Sequence, residues 1–234
     1  MKSFFYRAGS VAFLLMFPQT SDAFFPGFNV GVQVGGVQLA GKHVFVDASG
    51  NSGTGKPSAK SYMAGANLGY IFEMGQGAFK ILLGAEGFFN KCGASASANL
   101  TTDAGVGQGK FNIKQTDAKG ASLIVGALVN PRVALYGRFG METSKFQLNY
   151  QDLSFATANK NVKYQKSYSA LVPGIGGALL LSPKLYVALD YSFPIYKKLV
   201  IRSNGDLIDG AKVNMTYRPS EHRVLLRLAF RTGG

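Results

Sequence analysis

Ser182-Pro183-Lys184-Leu185-Tyr186-Val187-Ala188-Leu189-Asp190-Tyr191-Ser192-Phe193 opens on a turn and then alternates with a period of two. Leu185, Val187, Leu189, Tyr191 and Phe193 fall on one side, Tyr186, Ala188, Asp190 and Ser192 on the other. Successive side chains of a strand point to opposite faces, so one face of this segment is broadly apolar and the other accepts a carboxylate. The pattern recurs along the chain. Phe28, Val30, Val32 and Val34 oppose Asn29, Gly31, Gln33 and Gly35. Tyr62, Ala64, Ala66, Leu68, Tyr70 and Phe72 oppose Met63, Gly65, Asn67, Gly69, Ile71 and Glu73. Phe79, Ile81, Leu83, Ala85 and Phe89 follow the turn at Gly75-Gln76-Gly77, with Lys80, Leu82, Gly84, Glu86 and Phe88 behind them.

A fourth segment presents Ala121, Leu123, Val125, Ala127 and Val129. Asn130-Pro131-Arg132 then turns into a fifth, with Val133, Leu135, Phe139 and Met141 opposed to Ala134, Tyr136, Arg138, Gly140 and Glu142. The sixth, near residues 164–181, is irregular: Pro173 cannot donate to a ladder and Leu179-Leu180-Leu181 hides the parity, so a bulge is expected there. The eighth ends with Val224, Leu226, Leu228 and Phe230 on one face. Eight strands joined alternately by tight turns and by long connections near residues 40–60, 90–117, 143–163 and 194–216 are the layout of an antiparallel transmembrane β-barrel, with the tight turns in the periplasm. The fold expected is therefore all-β, an up-and-down eight-stranded outer-membrane barrel.

The ends and the composition agree. Lys2 and Arg7 precede an apolar stretch over residues 8–17, followed by Ser21-Asp22-Ala23, the layout of a cleaved secretory signal peptide over residues 1–23. Residues 24–234 are then one barrel domain. No later stretch has the roughly 18 consecutive apolar residues of a spanning helix. Thirty glycines and a charged fraction of only 16% suit curved strands and frequent turns. The formal charge of +13 favours anionic partners. The single cysteine, Cys92, has no internal partner and is expected to be a spectator, an intermolecular bridge being the alternative.

The hairpins, the leader and the terminal strand closing on Phe230 resemble the small eight-stranded outer-membrane β-barrel family, the opacity-protein-like and OmpA-like barrels, over nearly the whole mature chain. That resemblance implies a bacterial outer-membrane location and a terminal aromatic, here Phe230, read by the barrel-insertion machinery. In such families the aromatic is usually the last residue, whereas Arg231-Thr232-Gly233-Gly234 follow it here. An appended peptidoglycan-binding domain of the OmpA kind is not expected.

Parity points the charges of the strands inward: Glu73, Lys80, Glu86, Arg138, Glu142, Asp190, Arg223 and Arg227. Eight strands enclose just enough room for side chains, and buried charges survive only in pairs. A plugged barrel is expected, with a gated narrow channel or small-solute porin as the alternative. Phe28, Phe72, Phe79 and Phe230 are expected at the periplasmic border, and Tyr62, Phe89, Tyr168, Tyr191 and Phe193 at the outer one. The long connections carry Lys42, Lys56, Lys60, Lys110, Lys114, Lys160, Lys163, Lys197 and Lys198. These basic loops suit lipid phosphates, lipopolysaccharide or a polyanionic or host surface ligand.

Enzyme and cofactor chemistry is thinly represented. Gly50-Asn51-Ser52-Gly53-Thr54-Gly55-Lys56-Pro57 nears a phosphate-binding loop, but Pro57 stands where Ser or Thr must hold Mg²⁺, and a strand follows where a helix is needed. No Cys/His spacing suits a metal, and no cofactor or nucleic acid is expected. Ser220 and His222 share a lipid-facing side near the rim, with Glu221 on the opposite face, which leaves a lipid A-modifying barrel enzyme as a further alternative. The leading expectation is a monomeric, non-enzymatic surface protein serving envelope integrity and surface interaction or adhesion.

Overall fold

The computed structural model describes residues 26–46, 52–75, 80–101, 108–152, 161–208 and 211–232. They form twelve strands: β1 (Gly27–Val46), β2 (Ser52–Gly55), β3 (Ser58–Met74), β4 (Ile81–Cys92), β5 (Ser95–Thr101), β6 (Gln108–Asn130), β7 (Val133–Asp152), β8 (Asn161–Ser182), β9 (Leu185–Ser192), β10 (Ile195–Tyr196), β11 (Leu199–Ile208) and β12 (Ala211–Thr232). Eight make a closed antiparallel ring, β1-β3-β4-β6-β7-β8-β9-β12, which shuts where β12 pairs β1 from Phe28↔Thr232 to Val46↔Asn214. The proposed leader and Phe79 lie outside the described residues.

Local chemistry sets the tight turns. The Asn130 side-chain oxygen accepts from the backbone N–H groups of Arg132 (2.8 Å) and Val133 (2.9 Å), holding the Pro131-Arg132 turn. Gly75 leaves β3 at a φ of 111°, a conformation side chains rarely adopt. In β8 the irregularity falls at Leu181, where the register with β9 shifts between Leu180 and Ser182. Pro173 itself pairs regularly with Phe139. Its missing N–H faces the interruption between β9 and β10, where its carbonyl accepts from Phe193 N at 3.1 Å. A donor is thus absent where no ladder asks for one.

An apolar belt of outward side chains wraps the ring over residues 28–36, 62–72, 81–89, 121–129, 135–141, 171–181, 185–193 and 224–230. The stretches run to between seven and eleven residues, close to the roughly nine to eleven with which a tilted strand crosses a bilayer. Phe28, Phe72 and Phe230 mark its lower edge and Tyr62, Phe89, Tyr191 and Phe193 its upper one, all outward. Tyr168 departs from the expected outer girdle. The inward parity of β8 turns it into the barrel, where it meets Phe146 edge-on at 6.1 Å.

The long connections also differ from expectation. They are mostly strand: β1, β3, β6, β7, β8 and β12 run past the belt as hairpins, with β2, β5, β10 and β11 packed alongside. Lys42, Lys60, Lys110 and Lys114 therefore stand on the outer wall of a protruding barrel, Lys163 belongs to β8, and Lys56, Lys197 and Lys198 occupy short links. Lys160 lies outside the described residues. Above the belt the alternation inverts. Leu39, Ile113, Phe111, Phe146, Leu148 and Tyr217 point inward, while Gln38, Lys42, Lys110, Lys114 and Arg218 point out. The reason is the solvent: inside the bilayer the wall must be apolar outside, and beyond it water reverses the requirement.

Candidate functional site: the filled lumen and the basic rim

From the tight-turn end the lumen is layered. Ile71, Leu82, Ala134, Ala178, Leu180, Tyr186, Ala188 and Ala229 form a lower apolar cluster. Beside it Lys80 pairs with Glu73 at 2.6 Å. The cavity bounded by Ile71, Leu82, Ile124, Tyr136 and Arg227 measures about 20 Å³. That is room for about one water.

A four-charge tier comes next. Glu86 accepts from Arg138, from Ser122 Oγ (3.2 Å) and from Arg227 Nη1 (2.5 Å), so one carboxylate ties β4 to β6, β7 and β12 across the lumen. Asp190 meets Arg227 at 2.9 Å and Arg138 at 3.6 Å, and accepts from Tyr136 Oη at 2.8 Å. Two acids and two bases balance. Gly176 makes room for this arrangement, since a Cβ there would stand 2.6 Å from the Tyr136 ring and 2.7 Å from Asp190 Oδ1.

The upper tier centres on Arg223. Its Nη1 and Nη2 donate to Glu142 at 2.5 and 2.7 Å, and its Nε donates to Glu221 at 2.5 Å. Tyr196 Oη lies 2.8 Å from a carboxylate oxygen of each acid, with Ser144 and Gln115 completing the shell. Buried charges demand such dense pairing, because removing them from water costs several kcal/mol each. All eight inward charges expected from sequence occur in these layers. Glu221 is a ninth, legible only as the residue facing away from Ser220 and His222. The Tyr196, Gln115 and Ser144 contributions lie in segments whose parity reads weakly.

Above the charges sits an apolar cap of Val37, Leu39, Met63, Phe111, Ile113, Phe146 and Tyr217. Cys92 is buried at its base, with Sγ 3.5 Å from Gln115 Oε1, and burial pushes its thiol up to about 11. A thiol held in that state is a poor nucleophile, in keeping with a spectator role. His43 is fully buried in the cap, stacked on Phe111 at 4.2 Å, with neither ring nitrogen hydrogen-bonded among the described residues. Burial lowers its pKa from 6.5 to about 4. The folded state thus binds fewer protons than the unfolded chain between those values. Stability from this site is complete above pH 6.5 and falls as pH drops toward 4, by about 3 kcal/mol in all. Unfolding free energies measured at pH 7.5 and pH 4 will show this loss, and His43→Phe will remove that share of the pH dependence.

The outer wall carries bases just above the belt on seven of the eight ring positions: Lys42, Lys60, Lys91, Lys119, Lys145, Lys197 and Arg218. Lys145 stands opposite Asp117. Ser220 and His222 are outward, as expected, but His222 Nδ1 is engaged by Tyr191 Oη at 2.8 Å and Glu221 belongs to the lumen. Among the described residues no group of His, Cys, Asp and Glu is arranged to hold a metal ion.

A closed ring with an apolar exterior and a charged, filled interior has one natural setting, and residues 9–218 match the family described as outer membrane protein beta-barrel domain. The chain belongs to that family. It is a protein of the bacterial outer membrane. No curated protein matches its sequence. Among solved structures it resembles the outer membrane protease OmpT from Escherichia coli, at 9% identity and a TM-score of 0.49 over 92% of this chain and 99% of that one. It also resembles Neisserial surface protein A, at 12% identity and a TM-score of 0.40 over 91% and 100%. Ail, the attachment invasion locus protein of Yersinia pestis, gives 16% identity and a TM-score of 0.34 over 85% and 99%.

Proposed function

We propose that this barrel is a non-enzymatic surface protein, closed to solutes, that supports envelope integrity and engages polyanions through its basic protruding wall. The observation that carries the reading is the interior: two tiers of mutually paired charges bridge the lumen between two apolar clusters. A conducting pore needs a continuous polar path, and eight strands leave room for side chains alone. The outer wall supports the second half. Lys56, Lys110, Lys114, Lys197 and Lys198 are exposed above the belt. A dense, single-sign rim of that kind concentrates anionic ligands by its field.

The Ser220/His222 pair argues against a hydrolase. His222 is committed to Tyr191, and no acid among the described residues shares its face to orient the ring. Insertion read through Phe230, which stands outward at the lower edge of β12, belongs to the same proposal.

Adhesion tests the surface role. Cells carrying the protein should bind a sulfated-glycan-coated surface better than cells without it. Changing Lys56, Lys110, Lys114, Lys197 and Lys198 to Gln should remove that gain while the barrel still folds. Undiminished adhesion by the variant would overturn this part of the reading.

A further inference from the structure

We infer that the outward face of the seam between β3, β1 and β12, just above the apolar belt, is a site for the phosphate group of an outer-leaflet lipid. The inference rests on the membrane placement of the barrel and is independent of adhesion.

Three successive rungs of the ladder build the site. In the uppermost, Lys42 pairs directly with Arg218. In the middle one, Ser58, Ala40 and Ser220 lie side by side. In the lowest, Lys60, Gln38 and His222 do so. Lys42, Arg218, Lys60, Gln38 and His222 are all exposed. Small side chains thus make a shallow floor framed above by two permanent cations and below by a cation, an amide and an imidazole. Tyr191 Oη holds His222 by Nδ1 at 2.8 Å, which leaves Nε2 for a ligand.

Two observations separate this frame from an ordinary solvated face. Like charges directly opposite each other on adjacent strands repel, and Lys42 and Arg218 are so placed. In addition, no acid stands on the outward face of β1, β3 or β12 among the described side chains, whereas Lys145 elsewhere on the rim has Asp117 across from it. An arrangement that costs energy in the bare protein is relieved by an anion lying between its members.

The position names the anion. Alternate residues along a strand are about 6.8 Å apart, so a group over the central rung is within reach of the long side chains of both flanking rungs. The next outward residues below are Gly36, Tyr62 and Val224, the top of the belt. A phosphate over Ala40 therefore stands above the Lys60-Gln38-His222 rung, with the apolar wall starting one rung further down for the acyl chains of the same molecule. Phosphate oxygens accept from Lys and Arg in short charge-assisted bonds, with the guanidinium able to present two donors. Basic frames at the membrane surface bind lipid headgroups in this manner.

The test uses the full-length protein folded in detergent and phosphatidic acid as the phosphate-monoester probe, with binding read by native mass spectrometry. The wild type should retain the probe in preference to phosphatidylcholine. K42Q/R218Q should weaken it about tenfold, as loss of charge-assisted contacts requires. K110Q/K114Q, which removes the same charge from β6, three ring positions away from β1, should leave binding within about twofold, the spread expected of bases that do not touch the ligand. Equal weakening by both pairs would mean diffuse attraction and would overturn the site, as would no weakening by K42Q/R218Q or equal retention of phosphatidylcholine. Inorganic phosphate binding as tightly as the lipid would overturn the lipid assignment. Adhesion is read on whole cells and on a different set of lysines, so either proposal can fail alone.

Discussion

Replacing Arg227 with methionine is expected to cost about 3–5 kcal/mol of stability, the usual penalty for breaking a buried ion pair from one side. Arg227 donates to Glu86 and meets Asp190, and both carboxylates are nearly inaccessible to solvent. Without it, Arg138 alone faces two acids. The variant's free energy of unfolding from lipid vesicles in urea measures the loss. A second variant shows that the cost comes from the orphaned charge. Changing Arg138 and Arg227 to Met together with Glu86→Gln and Asp190→Asn removes every charge of the tier at once. It should lose much less than R227M, because a buried ionic cluster is worth little against an uncharged packing of similar volume. Equal losses in the two variants would mean that the tier stabilises by shape alone.

Gly35→Ala is expected to be nearly as damaging, by about 3 kcal/mol from overpacking, while Gly36→Ala next to it should be silent. Gly35 pairs with Leu225 at the seam that closes the ring. A Cβ there would lie 1.9 Å from the Val224 carbonyl oxygen and 2.8 Å from Leu225 Cα, both backbone atoms that cannot move without parting the strands. At Gly36 nothing lies within 4 Å, because that position faces out. Gel mobility with and without boiling, after refolding, reads the fraction of closed barrel. G35A should lose the folded band under conditions in which G36A keeps it.

The sequence carries the ring almost completely, and the reason lies in the bilayer. Where lipid covers one face, as at Leu185–Phe193 or Val224–Phe230, large outward side chains make the period of two visible and fix the direction of every neighbour. The inward charges follow from the same parity, so Arg138, Asp190 and Arg227 could be placed before any contact was known. Their partners could not. The tilt of a barrel's strands brings together residues from distant rungs, which is how Glu86 on β4 reaches Arg227 on β12.

The protruding wall was hidden by a change of sign. Phe111 and Ile113 alternate with Lys110, Asn112 and Lys114 as regularly as any belt strand, but with the apolar side inward. Read with the belt's convention, such a segment passes for a polar loop. The β6 bulge between Gln115 and Asp117 conceals it further by shifting the parity where the inversion begins. Tyr168 was misplaced for the same reason: an aromatic near the rim counts as a girdle residue only if its strand has not yet turned its apolar side inward. The seam site was legible only in part, since Ser220 and His222 could be set on one face but the opposition of Lys42 and Arg218 is a matter of register.

Planar-bilayer recording of the purified wild-type protein tests the central claim, a barrel closed by its own charges. The tiers of Glu86, Asp190, Arg138 and Arg227 and of Glu142, Glu221 and Arg223, held between two apolar clusters, predict a silent membrane at moderate voltage. Steady openings of reproducible conductance would contradict it.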